Sequence, residues 1–104
     1  MKNKIYATFD EAVSDIPDGS TIMFPGFGGV GVPRNLIGAL HRQGAKNLTG
    51  ICNSHGLLDD QVDVGTLIEA GQVCKMICSF TAPTHPSQIT PFVRMYNGGE
   101  VDGE

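Results

Sequence analysis

The chain has 104 residues, room for one domain at most. Hydrophobic residues make up 40% and charged residues 17%, which is enough apolar material for a core and excludes a disordered chain. The formal net charge is −4 with no basic stripe, which argues against nucleic acid as the main partner. An anionic ligand held by backbone N–H groups stays open.

The first dozen residues carry Lys2 and Lys4, but no apolar h-region follows, so no secretory leader is expected. Thr8-Phe9-Asp10-Glu11 has the form of a capping box, and a short helix is predicted from Phe9 to Asp15. Pro17 stops it, and Pro17-Asp18-Gly19 makes a turn. The apolar run Thr21 to Phe24 is the first predicted strand. A glycine-rich loop from Pro25 to Gly31 follows it. Pro33 is placed to be the first residue of a helix with Leu36, Ile37 and Leu40 on one face and Arg34, Arg42 and Gln43 off it. Gly44 closes that helix.

Leu48 to Cys52 is predicted as the second strand, ending in a turn at Asn53-Ser54-His55-Gly56. Leu57 to Val64 is polar and irregular, Thr66 to Ala70 a short helix closed by Gly71, and Val73 to Phe80 a third, apolar strand. A loop with Pro83 and Pro86 leads to Ile89–Tyr96, which is weakly helical because Pro91 fits only a first turn. After a turn at Asn97-Gly98-Gly99, the last residues begin a further strand. Strands alternate with helices and read as apolar runs buried on both faces, which predicts βαβ units and a parallel sheet. No apolar run is long enough to cross a membrane.

The three cysteines, Cys52, Cys74 and Cys78, fit no disulfide framework and no zinc spacing. Reduced, buried thiols in a reducing compartment are expected, with Cys74 and Cys78 on one strand face in the core. No metal site is expected.

Gly26-Phe27-Gly28-Gly29-Val30-Gly31 fits G-x-G-x-x-G between a strand and a helix. Glycines allow a backbone to approach a ligand closely, and a helix N-terminus supplies partial positive charge and N–H donors. A dinucleotide site is one reading. It lacks the acidic residue expected after the second strand, since the first acid past Cys52-Asn53-Ser54 is Asp59. A glycine-rich turn with no ligand is another.

The run from Asp18 to Pro33 carries more. It resembles the first signature of the family I CoA-transferases: D-G, two residues, three apolar residues, G-G-F, three residues, G-x-P. Every anchor is present but one, where Pro25 stands in place of a glycine. The likeness continues through Arg34-Asn35-Leu36-Ile37-Gly38-Ala39-Leu40, Lys46-Asn47-Leu48-Thr49, Asn53-Ser54-His55-Gly56 (similar to N-N-A-G of the 3-oxoacid enzymes) and Tyr96-Asn97-Gly98-Gly99-Glu100. The resemblance implies an open, mostly parallel α/β sheet with flanking helices, here a single partial α-subunit domain over residues 1–104. It implies that Gly26, Phe27, Gly28, Gly29, Gly31 and Asn53 shape the loop that meets substrate and CoA.

The reaction implied moves CoA between an acyl-CoA (3-oxoacyl or short-chain) and a carboxylate. Its glutamate belongs to a β subunit, so no catalytic residue is expected in this chain. None of Glu11, Glu69, Glu100 and Glu104 lies in a matching motif. The family's α part continues past the position of Glu104 to a P-Q-G-T turn. The chain is therefore read as part of a cytoplasmic α–β hetero-oligomer, with CoA as a substrate, no permanently bound cofactor, and no nucleic-acid or membrane partner. Pro25 either re-routes the loop or simply ends the strand. Asn53 is either an amide facing an oxyanion or a left-handed turn residue. His55 is a loop residue, and His41 and His85 are surface residues. A nucleotide-binding module and a non-catalytic fragment are the competing readings.

Overall fold

The computed structural model describes residues 5–26, 31–54, 62–80, 91–99 and 101–103. Helix α1, Phe9–Val13, starts as its cap predicts, with Thr8 Oγ1 accepting from the Glu11 N–H at 3.1 Å. It ends two residues short of Asp15, where the Ser14 amide and hydroxyl both turn back onto the Glu11 carbonyl. Strand β1, Thr21–Met23, follows the turn at Gly19, whose φ is +81°. Helix α2, Arg34–Gln43, has Pro33 as its N-cap residue and Gly44 as its left-handed C-cap. Ile37, Ala39 and Leu40 are its buried residues; Leu36 is 38% exposed and lines a groove together with Ile37 and Leu40.

Strand β2 is Leu48–Ser54, two residues longer than the apolar run predicts. Helix α3, Val64–Glu69, begins before Thr66, so Val64 is helical and buried rather than irregular. Its start is a capping box: Asp63 Oδ1 accepts from Gly65 N–H at 2.8 Å, and Thr66 Oγ1 accepts from Asp63 N–H at 3.3 Å. Strand β3 is Val73–Phe80, as predicted. Helix α4, Pro91–Asn97, has Pro91 as its first residue, the position proline tolerates. Strand β4 is Asp102–Gly103. The predicted loop of 81–87, with His85, lies outside the described residues, as do His55, Glu100 and Glu104.

The strands form one all-parallel sheet in the order β1-β2-β3-β4. Each crossover advances to the next strand in the same direction, and right-handed crossovers then put α2, α3 and α4 on one face. The core agrees. Ile37 and Leu40 of α2, Leu67 and Ile68 of α3 and Phe92 of α4 cluster with Leu48, Val73 and Met76 of the sheet. The strands are therefore not covered on both faces by described helices. The opposite face carries Met23, Ile51 and Ile77 in register across three strands, Met23 exposed and the other two half-buried.

One register irregularity changes a cysteine. Leu48 pairs with Val73 and Thr49 with Lys75, so Cys74 is the extra residue of a β-bulge. It is exposed rather than in the core, with its Sγ 3.5 Å from the Leu48 carbonyl.

Gly50 marks a tight point of the sheet. A Cβ there would lie 2.9 Å from Met76 Sδ and 3.3 Å from Phe24 Cε2. Gly50→Ala is expected to destabilise the chain by about 1–3 kcal/mol in urea unfolding. Gly38→Ala, inside α2, where an added Cβ would lie 3.5 Å from the Arg42 side chain of the same helix and 3.9 Å from Val62, is expected to gain up to about 1 kcal/mol.

Candidate functional site

In an open parallel sheet, ligands bind outside the carboxyl ends of the strands. Of the sequence-predicted residues, Gly26, Gly31 and Asn53 fall at that end. Phe24 still donates to the Ile51 carbonyl at 2.8 Å, one residue past β1, and Pro25 follows it. Pro25 thus sits where the strand's pairing stops. Gly26 has φ +124° and Gly31 φ +78°, conformations that favour glycine at both ends of the loop. The loop is pinched at its base: a Cβ on Gly31 would lie 3.8 Å from Gly26 Cα. Phe27, Gly28 and Gly29 lie outside the described residues.

Asn53 is within β2 and half-buried, and the left-handed non-glycine residue among those described is Asn47, with φ 57°. The reading of Asn53 as a left-handed turn residue is thereby corrected: pairing with β3 continues to Ser54 and holds it extended. Alternation places it with Thr49 and Ile51, on the face away from the helices. Two residues beyond the Met23–Ile51 pair stand Pro25 on one strand and Asn53 on the next, so Asn53 is level with the root of the glycine loop.

The loop delivers the chain to the N-terminus of α2, which has no side-chain cap. Its first-turn amides point toward the loop end of the sheet and suit an anionic group. Arg34, in that first turn, donates from Nη1 to the Val62 carbonyl at 2.8 Å and ties the segment entering α3 to the site. Nothing in its sequence context marks that role. His41 is exposed, as expected.

Cys52 and Cys78 are register partners on β2 and β3, turned toward the core. Burial, and then the neighbouring Cys78, push the Cys52 thiol up to about 12; burial also raises Cys78. Neutral thiols of this kind are poor nucleophiles. Among the described residues no group of three or more His, Cys, Asp or Glu is placed to hold a metal ion. No described helix is long and apolar enough to cross a membrane.

A family model described as Coenzyme A transferase matches residues 6–102. The chain belongs to the coenzyme A transferase family. It is 40% identical over 106 aligned residues to one subunit of the 3-oxoadipate CoA-transferase of Pseudomonas putida, covering all of this chain and 43% of that one. It is 44% identical over 72 residues to the alpha subunit of a probable coenzyme A transferase of Bacillus subtilis, covering 69% of this chain and 31% of that one. Over 80 residues it is 41% identical to human mitochondrial succinyl-CoA:3-ketoacid coenzyme A transferase 2, covering 77% of this chain and 15% of that one. The chain therefore spans less than half the length of these relatives. A crystal structure of a variant of the decarboxylase AibA/AibB shares the fold at a TM-score of 0.75 and 24% identity, over all of this chain and 39% of that one. The nucleotide-module reading gains no support from these likenesses.

Proposed function

We propose that this chain is the N-terminal part of a CoA-transferase α subunit that moves CoA between an acyl-CoA and a carboxylate. The observation that carries the reading is the match over the whole chain to a relative named as one subunit of a 3-oxoadipate CoA-transferase. A 3-oxoacyl or short-chain acyl group is the substrate class, and the cytoplasm the compartment. CoA enters as a substrate rather than a resident cofactor.

The reaction needs a glutamate nucleophile, and neither glutamate of the described helices lies in the loop or in the first turn of α2. Glu11 is on α1, and Glu69 on α3 faces Arg94 at 3.8 Å. The nucleophilic glutamate is assigned to a β-type subunit. Its carboxylate attacks the thioester carbonyl and CoA leaves as thiolate; that thiolate attacks the glutamyl carbonyl of the resulting anhydride, expelling the first acid as its carboxylate and leaving CoA on the glutamate, from which the acceptor carboxylate takes it by the same two steps in reverse. This chain's part is to receive the developing negative charge. Gly26 and Gly31 take positive φ at the two ends of the loop, the first-turn amides of α2 point to that end of the sheet, and the Asn53 amide donates to the oxyanion.

The test joins this chain to the remainder of the Pseudomonas relative and co-expresses it with that enzyme's β-type subunit. CoA exchange between an acyl-CoA and a free carboxylate is expected. Asn53→Ala is expected to lower kcat by about 10²-fold or more with the complex intact. A folded complex that exchanges no CoA rejects the assignment.

A further inference from the structure

Cys52 of β2 and Cys78 of β3 are register partners on neighbouring parallel strands. Both are half-buried and pack against the same core cluster, so both side chains leave the sheet on its helix side. Register partners on adjacent strands stand about 4.8 Å apart. A disulfide needs its Cα atoms about 4.4–6.8 Å apart and its side chains turned to one side. The pair meets both conditions. Its neighbours keep it in place: Ile51 pairs with Ile77 before the cysteines, and Ser54 with Phe80 beyond them.

Cys74 can replace neither of them. It lies four residues from Cys78 along β3, roughly 13 Å at 3.3 Å per residue. The bulge sets it beside Leu48, at the far end of β2 from Cys52, and leaves it exposed. Of the three possible pairings, the folded chain brings one within bonding reach.

We infer that Cys52 and Cys78 are a reversible dithiol site, which small disulfides oxidise to a bond across the carboxyl ends of β2 and β3. The thiolate of one cysteine attacks a sulfur of the small disulfide and expels one small thiol. The thiolate of the other attacks the protein sulfur of that mixed disulfide and expels the second. Two protons pass from the cysteines to the small thiols, and two electrons from the protein to the reagent. Burial holds both thiols protonated and slows the first attack. Thiol and disulfide are both neutral, so the equilibrium is left to the geometry. A reducing compartment keeps such a pair as the dithiol until its pool of small disulfides rises. The bond forms one residue before Asn53 and fixes the part of β2 that carries it. It depends on strand register alone and not on the transfer reaction.

Equilibration in glutathione buffers tests it without CoA. The 104-residue chain carrying Cys74→Ser is brought to equilibrium with reduced and oxidised glutathione, once folded and once in concentrated urea. Acid quenching, alkylation and tryptic mass spectrometry then read the cross-link between the peptide that ends at Lys75 and the one that ends at Arg94. The constant for closing the disulfide is expected to be at least roughly tenfold higher in the folded chain than in urea, because register holds the two sulfurs together. Adding Cys78→Ser is expected to abolish the cross-link and leave only a glutathione mixed disulfide at Cys52. Should the chain not fold alone, the chain joined to the remainder of the Pseudomonas relative takes its place, with the same two peptides read. A closing constant no higher in the folded protein than in urea overturns the inference. So do glutathione mixed disulfides at both positions without the cross-link, which would show two thiols that oxidise independently.

Discussion

Gln72→Glu is expected to leave the chain unfolded at neutral pH and to let it recover part of its stability in acid. Gln72 is 3% exposed, between α3 and β3. Its Nε2 donates to two carbonyls, Leu40 at the end of α2 and Ala45 before β2, both at 3.1 Å. Its own carbonyl accepts from Leu48 N–H at 2.9 Å and its amide donates to Leu67 at 3.0 Å, so one residue joins two crossovers. Glutamate places oxygen where both carbonyls need a donor. Each lost bond that leaves a buried partner costs about 1–3 kcal/mol, and an ionised carboxylate there costs more. A domain of this length has roughly 5–15 kcal/mol in total.

The sign with pH follows from burial. The folded-state pKa of the new carboxyl is raised above its unfolded value of about 4.3. The stability linked to its protonated form is complete below that value and is lost as pH rises through the folded pKa. Gln72→Met is expected to cost only about 1–2 kcal/mol. It removes the donor, but also removes Oε1, a buried oxygen with no hydrogen-bond partner. Urea unfolding at pH 4.5 and 7.5 measures all three chains; equal midpoints for the glutamate variant at the two pH values would count against this account.

Gln72 also shows which parts of the fold a sequence conceals. The features legible in advance are local. Thr8 caps α1, Gly44 and Gly71 close helices through positive φ, and Pro91 opens α4, because each acts on backbone within a turn of itself. The apolar runs of β1, β2 and β3 are legible because parallel strands bury more of their length than solvent-facing ones. What stays hidden depends on a partner strand or an unusual side chain. The bulge that turns Cys74 outward exists only in the pairing of β2 with β3. Asn53 is extended because β3 reaches as far as Phe80 beside it. The start of α3 is concealed because its capping box uses Thr66 where the usual pattern has glutamate or glutamine. At the candidate site, Gly26 and Gly31 are legible as backbone requirements, while the link from Arg34 to Val62 spans 28 residues and leaves no local trace.

The second large effect is expected in the thiols. In the folded chain at pH 8, iodoacetamide should modify Cys74 first, with Cys52 and Cys78 lagging far behind. Cys74 stands out of the sheet at its bulge. Cys52 and Cys78 lie side by side on β2 and β3 against the core. Burial, with the neighbouring Cys78 second, pushes Cys52 from 9.0 up to about 12. Thiolate is the reacting species, so its population at pH 8 falls up to about a thousandfold below that of a thiol titrating at 9.0. Peptide mass spectrometry over a time course reads the order, and urea should abolish it. Folded Cys52 reacting as fast as Cys74 would mean that β2 and β3 separate freely at this end. The same shift links to stability. A folded pKa above the unfolded one gives a contribution that is complete below pH 9 and lost as pH rises toward 12. The unfolding midpoint should therefore fall between pH 9 and 11, and fall less steeply in Cys52→Ala, because alanine has no proton to hold on the core side of the sheet.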